Sequence, residues 1–183
     1  SDPVLAWSGN RVLAVGWRIA SATFTPVYDL YVQFWRVSDT ANPAVSTMTM
    51  ATAAVRVNAA LDGARSQLVL TALPGGGVVA SWSEGNSVRL QGFDGSGNRL
   101  GGILEVTAPG ETGTAPSIAA LADGRVAVTW AGPGDADADD VHVQIVDPRD
   151  GIVVGTVGND MLYGHDLVAD EISGGNGNDS LFG

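Results

Sequence analysis

Leu70-Thr71-Ala72-Leu73-Pro74-Gly75-Gly76-Gly77-Val78-Val79-Ala80-Ser81-Trp82 is the stretch that decides the fold, because it occurs again. It aligns without gaps on Ile118 through Trp130, and a weaker copy runs from Leu5 to Trp17. Self-similarity of this kind marks a repeat architecture. After each Trp comes a loop and then a second recurring segment: Leu30-Tyr31-Val32-Gln33, Val88-Arg89-Leu90-Gln91 and Val141-His142-Val143-Gln144. The Trp residues lie 65 and 48 residues apart and the Gln residues 58 and 53, the loops absorbing the difference.

Each segment alternates in the manner of a strand. In the Trp strands one face carries Leu13/Val15/Trp17, Val78/Ala80/Trp82 and Val126/Val128/Trp130. The other carries Ala14/Gly16, Val79/Ser81 and Ala127/Thr129, mostly small side chains, as expected where a neighbouring sheet approaches closely. The Gln strands are apolar on their second face too, with Trp35, Phe93 and Val146 two residues past each Gln. Strands covered on both faces belong to stacked sheets.

Room remains in each copy for two more strands, such as 116–121 before a Trp strand and 102–106 after a Gln strand. Asp123-Gly124 and Gly75-Gly76 signal the hairpin turns between them. Four strands per roughly 50 residues matches the blade of a β-propeller. The expectation is an all-β chain of three four-stranded repeats, about 1–62, 63–110 and 111–150, forming propeller-like blades or stacked sheets. The recurring Gln-x-[Trp/Phe/Val] leaves a β-trefoil as the alternative. The best helix candidate, 49–61, is rich in Ala and Val but lacks a cap and a clear polar face.

Charge divides the chain differently. All nine basic residues are arginines, against 20 carboxylates, for a net charge of −11. Residues 1–131 hold nine acids and eight arginines, whereas residues 132–183 hold eleven acids and only Arg149. This balance argues against nucleic acid and anionic membranes as partners and is compatible with cations. No apolar run is long enough to span a membrane as a helix. With no cysteine, stability outside the cell would come from packing or metal rather than disulfides. Ser1-Asp2-Pro3 carries no initiating Met or signal pattern, and Gly183 falls inside a repeat, as expected of a fragment or processed form.

The acidic end carries the chemistry. Gly174-Gly175-Asn176-Gly177-Asn178-Asp179-Ser180-Leu181-Phe182 is a full match to the nonapeptide G-G-x-G-x-D-x-U-x. Gly155-Thr156-Val157-Gly158-Asn159-Asp160-Met161-Leu162-Tyr163 departs only at Thr156. A degenerate ten-residue copy, Gly164 to Ser173, has His165 and Leu167 at glycine positions but keeps Asp170-Glu171-Ile172. Ca²⁺ takes six to eight hard oxygen ligands at flexible geometry. Glycines let a turn curl with its carbonyls inward, and Asn159 and Asn178 tolerate the left-handed backbone. Each Asp supplies a carboxylate. The x-U-x that follows is a short strand whose central residue, Leu162, Ile172 or Leu181, is expected to point inward.

Residues 155–183 therefore resemble the RTX, or haemolysin-type calcium-binding, family. The resemblance implies a short parallel β-roll over 151–183 in which two nonapeptides make one coil, so that the first and third turns stack and share a Ca²⁺. Asp160 and Asp179, 19 residues apart, would then bracket one ion, with carbonyls near Gly155, Val157, Gly175 and Gly177 completing it. Asp170 would lie on the opposite edge, with its stacking partner beyond Gly183. The resemblance also implies export in one step under an uncleaved C-terminal signal, and hence a secreted or cell-surface protein.

Weaker candidates accompany these. Asp135, Asp137 and Asp139 alternate in the loop after Trp130, but Asp140 and Val146 stand where an EF-hand needs Gly and Glu. A solvated acidic loop is the simpler reading. There is no G-x-S-x-G, H-E-x-x-H or P-loop. His142 reads as a partly exposed sheet residue, and His165 as drift. Trp7 and Trp35 stand outside the repeated Trp position and are the candidates for a ligand-stacking platform.

The sequence thus favours a noncatalytic calcium-binding module of a larger RTX exoprotein, such as an adhesin, surface-layer or accessory domain, with extracellular polysaccharide or a cell surface as candidate partner. One rival is the C-terminal part of a secreted propeller glycoside hydrolase resembling sialidases, which would need arginines and carboxylates to converge. The other is a calcium-dependent carbohydrate-binding module.

Overall fold

A computed structural model describes residues 2–8, 11–20, 28–39, 46–58, 65–108, 110–134, 140–148, 152–154, 161–163, 171–173, 178 and 180–182. The first sheet runs β1 (Val4–Trp7), β2 (Val12–Ala20), β3 (Tyr28–Asp39), β4 (Ser46–Met50), with β5 (Val55–Arg56) pairing further along β3. The second runs β6 (Arg65–Ala72), β7 (Val78–Glu84), β8 (Ser87–Phe93), β9 (Arg99–Glu105). The third runs β10 (Thr114–Ala120), β11 (Val126–Gly132), β12 (Asp140–Val146). All three are antiparallel meanders in which spatial order follows chain order. Beyond them lie β13 (Ile152–Val154), β14 (Met161–Tyr163), β15 (Glu171–Ser173) and β16 (Ser180–Phe182).

The chain is all-β, with no helix among the described residues; the stretch weighed as a helix supplies the end of β4 and β5 instead. Its β-branched and small residues, without a polar face, pair along β3 more readily than they coil. No sheet closes on itself among the described residues, so the barrel that a trefoil requires is not formed there.

The sequence repeat is a repeat of hydrogen bonds. The turn into each Trp strand is closed by the same bond: Ser8 N–H to Val12 O, Leu73 N–H to Gly77 O and Leu121 N–H to Arg125 O. Gly76 and Gly124 sit at positive φ, 91° and 92°, where only glycine is unstrained. Strands β6 and β10 share a bulge at one repeat position, with Gln67 and Ala115 at φ 57° and 52°. Gln67 Oε1 accepts from the Ala115 N–H at 2.7 Å and from Ser83 Oγ at 3.0 Å, tying the second sheet to the third.

Packing follows a single rule. Ala14 of β2, with Leu30, Val32 and Phe34 of β3, shares one core with Ala80 and Trp82 of β7. A Cβ on Gly16 would stand 3.0 and 3.1 Å from methyls of Leu68 and Leu70, so the second sheet approaches as closely as the small face allows. The next core repeats the arrangement, with Val79, Val88 and Leu90 of the second sheet meeting Val126, Val128 and Trp130 of the third. Each Trp face is thus received by the small face of the sheet before it. The middle sheet is covered on both sides, and β7 is buried along its whole length. The Trp face of the first sheet meets no earlier sheet among the described residues, and Trp17 is only half-buried, stacked on Tyr31 at 5.9 Å.

This packing separates chemically similar residues. Trp82→Ala removes a fully buried indole and is expected to cost about 3–5 kcal/mol, whereas Trp17→Ala should cost closer to 1 kcal/mol at dilute protein. Urea unfolding of the two variants measures the difference. Equal losses would contradict the stacking order.

Candidate functional site

Four short strands organise the acidic end. β13 pairs β15 in parallel, with Ile152 opposite Glu171, Val153 opposite Ile172 and Val154 opposite Ser173. β14 pairs β16 in parallel, with Met161 opposite Ser180, Leu162 opposite Leu181 and Tyr163 opposite Phe182. Both ladders join residues 19 positions apart. Parallel neighbours need a connection of a dozen or more residues, and in β14 and β16 that connection contains one whole intervening repeat.

The residues singled out in the sequence as ligands, Gly155, Val157, Asp160, Asp170, Gly175, Gly177 and Asp179, lie outside the described residues, as do Asp135, Asp137 and Asp139. Among the described residues no group of three or more His, Asp or Glu side chains converges as a metal site would require. The structure adds a strand to those read from the nonapeptides: β15, which follows Asp170, pairs upstream with β13. The signal was available, because Val153, Leu162, Ile172 and Leu181 recur every nine or ten residues. Leu181, expected to point inward, is 48% exposed. Among the described residues β16 pairs with β14 alone.

Three other polar groupings are defined. The first is the Asp94–Asn98 turn between β8 and β9. Asp94 Oδ1 accepts from the Ser96 and Asn98 N–H groups, and its Oδ2 from Asn98 Nδ2, all at 2.8 Å. Partial burial pushes this carboxyl up, but the bonds from Asn98 and Ser96 outweigh it and hold Asp94 below the ordinary Asp range. With its oxygens facing N–H donors, the carboxylate closes a turn and is not presented to a cation. Asp123 is similarly lowered, burial being outweighed by bonds from the Arg125 side chain and N–H.

The second is a run of ion pairs that no motif or spacing in the sequence marks. Arg65 Nε lies 2.9 Å from Glu84 Oε1, and Arg89 lies 3.4 Å from Glu84 Oε2 and 3.5 Å from Glu105. Asp29 holds Arg56 at 2.5 Å and reaches Arg65 at 4.0 Å. Trp82 Nε1 donates to Glu84 Oε2 at 3.2 Å. Three arginines meet three carboxylates, so the group is neutral, and Arg65 and Glu84 are buried. A charged pair at such depth persists because each member satisfies the other.

The third is His142, whose ring stacks on Trp130 at 5.5 Å and 10°, with Nε2 3.1 Å from Pro133 O. Tyr31 on Trp17 occupies the same repeat position, which marks this stack as part of the repeat's packing. Trp7 is exposed on the outer face of the first sheet, and Trp35 on the same face is half-buried. No helix among the described residues is long and apolar enough to cross a membrane.

Compared with protein-family models, with curated proteins and with solved structures, the chain matches none.

Two outcomes are expected. Glu84→Ala takes from buried Arg65 the nearer of its two carboxylates and should cost about 3–5 kcal/mol, measured by urea unfolding; a loss below about 1 kcal/mol would place the group in solvent. Asp94 has a folded pKa below its unfolded one, so its stabilisation is present above the unfolded value and lost as pH falls through the folded one. The stability gap between the native chain and Asp94→Asn should therefore narrow as pH falls from about 5 towards 2. A gap independent of pH would remove the turn's carboxylate from the account.

Proposed function

We propose that this chain is a noncatalytic, calcium-binding module of a larger exported protein, and that its acidic end folds on Ca²⁺ outside the cell as a short β-roll of RTX type. The observation that carries the reading is the parallel ladder of β14 and β16. Its register pairs the x-U-x strands of the two best nonapeptides at equivalent positions, Leu162 opposite Leu181. In that register the residues preceding the strands are Asp160 and Asp179. The donor chemistry fits the ion. Two carboxylates and turns rich in glycine and asparagine offer hard oxygens at adaptable geometry, whereas Mg²⁺ demands a tighter octahedron and sheds water reluctantly.

The same register explains why Asp170 is the lesser ligand. β15 has its neighbour in β13, but the residue matching Asp170 ahead of β13 is Gly151, which brings no carboxylate. Energetics favour folding coupled to metal. Ordering each residue costs roughly 1–2 kcal/mol, and each buried aliphatic side chain returns only about 1.5–3 kcal/mol, with few such side chains available. Export is part of the same proposal, and the affinity range of extracellular calcium modules suits it. Extracellular calcium modules bind at roughly 10⁻⁴–10⁻³ M, so millimolar Ca²⁺ outside would fill the site and submicromolar Ca²⁺ inside would leave it empty.

Against the hydrolase reading, Arg56, Arg65 and Arg89 are each held by carboxylates of the stacked sheets, which supports a structural role for that cluster. The partner would be met by the sheets, with extracellular polysaccharide or a cell surface as the chemical class.

Calorimetric titration with Ca²⁺ tests the proposal. Asp160→Asn and Asp179→Asn should each weaken the same site by on the order of tenfold, the double change should add little, and Asp170→Asn should do much less. Equal damage from Asp170→Asn and Asp179→Asn, or no Ca²⁺ binding by the native chain, would overturn it.

A further inference from the structure

Eight of the nine large hydrophobic residues that stand exposed fall on just two surfaces, the outer faces of the first and third sheets. On the third sheet they are Val141, Val143 and Ile145 of β12, 75%, 67% and 51% exposed. Their register partners on the same face are Ala131, Thr129 and Ala127 of β11. On the first sheet they include Leu5 and Trp7 of β1, aligned with Val15 and Leu13 of β2, and Met50 beside Trp35. A face this apolar on a soluble chain marks an interaction surface.

The repeat shows what each face is shaped for. Val141, Val143 and Ile145 occupy the positions of Leu30, Val32 and Phe34 in the first sheet, which are fully buried because the second sheet packs on them. In the second sheet Val88 and Leu90 hold those positions and are fully buried under the third. Among the described residues, the third sheet therefore presents a receiving face with nothing received. The first sheet presents the opposite. Its Leu5 corresponds to Leu70 and Ile118, which pack into the first and second cores, yet Leu5 is 63% exposed. Trp17, at the position of the buried Trp82 and Trp130, is only half-covered.

We infer that the first sheet of one copy docks on the third sheet of another, repeating between chains the stacking that joins the sheets within one. The observation favouring a second copy over an unrelated partner is continuity. The same interface is built twice inside the chain, and the halves needed for a third are both uncovered among the described residues. The named residues of both faces are uncharged, and Asp29 and Arg56, which share the face of the first sheet, are already paired with each other. The contact joins two different surfaces, so it is heterologous and propagates into a ring or an open stack. Copies carrying a net charge of −11 repel, so association strengthens with added salt. The inference stands apart from calcium binding, because both faces belong to the antiparallel sheets.

The test uses two surface variants of the full chain, Leu5→Lys and Val143→Lys, whose wild-type side chains are mostly solvent-exposed, so that their folding can be verified by circular dichroism. Sedimentation velocity in chelator should show the native chain forming dimers and larger species as concentration rises. Each variant alone should remain monomeric, with its association weakened at least tenfold. An equimolar mixture should form dimers and nothing larger, because each variant retains the face that the other lacks. That pattern is unique to head-to-tail docking. A native chain that stays monomeric at every concentration and salt would overturn the inference and leave the faces to other segments or partners. A mixture that fails to dimerise, or variants that associate as well as the native chain, would overturn it equally.

Discussion

The structure depends on one contact made repeatedly, a bulky apolar face pressed against a face of small residues. Trp82 is fully buried in a core that it shares with Ala14, and Gly16 beside Ala14 lets Leu68 and Leu70 of the second sheet come close. Trp130 shares the next core with Val79, Val88 and Leu90. Everything polar in the middle of the molecule is arranged around this constraint. Glu84, two residues past Trp82 on the same strand, takes the indole N–H and two guanidinium groups. Gln67 bridges the second and third sheets from a bulge that the third sheet repeats.

Much of this was legible before any coordinates. The gapless alignment of 70–82 on 118–130 located the Trp strands, and the recurring Gln located their neighbours, because a repeated sequence buried in a repeated way must keep its period. The small residues opposite each Trp announced a close neighbour. What the alternation left open was which sheet covers which. The same pattern describes Trp17 and Trp82, yet one is partly exposed and the other sealed, a distinction that depends on position in the stack. The ion pairs of Arg56, Arg65 and Arg89 were illegible for a different reason. Four of their five pairings join residues 16 to 36 positions apart, and no local spacing encodes such a meeting.

At the acidic end the balance is reversed. The ligand types and their spacing are plain in the sequence, while the strands supply the register. The nine-residue period is enough to pair residues 19 apart, but β13 carries no such mark because no nonapeptide precedes it. The two regions also differ in what holds them. The sheets are nearly neutral and rely on apolar burial. The end carries eleven carboxylates with a single arginine, and a charge of that density gains from a cation what it cannot gain from a core.

The proposed account therefore divides the chain into a body that folds by packing and an end that folds by binding. Amide hydrogen exchange with and without Ca²⁺ tests that division most directly. The account expects β7 and β8 to exchange slowly in both conditions, and β14 and β16 to be protected only when Ca²⁺ is present. Equal protection of β14 and β16 in chelator, or a collapse of protection in β7 on removing Ca²⁺, would contradict it.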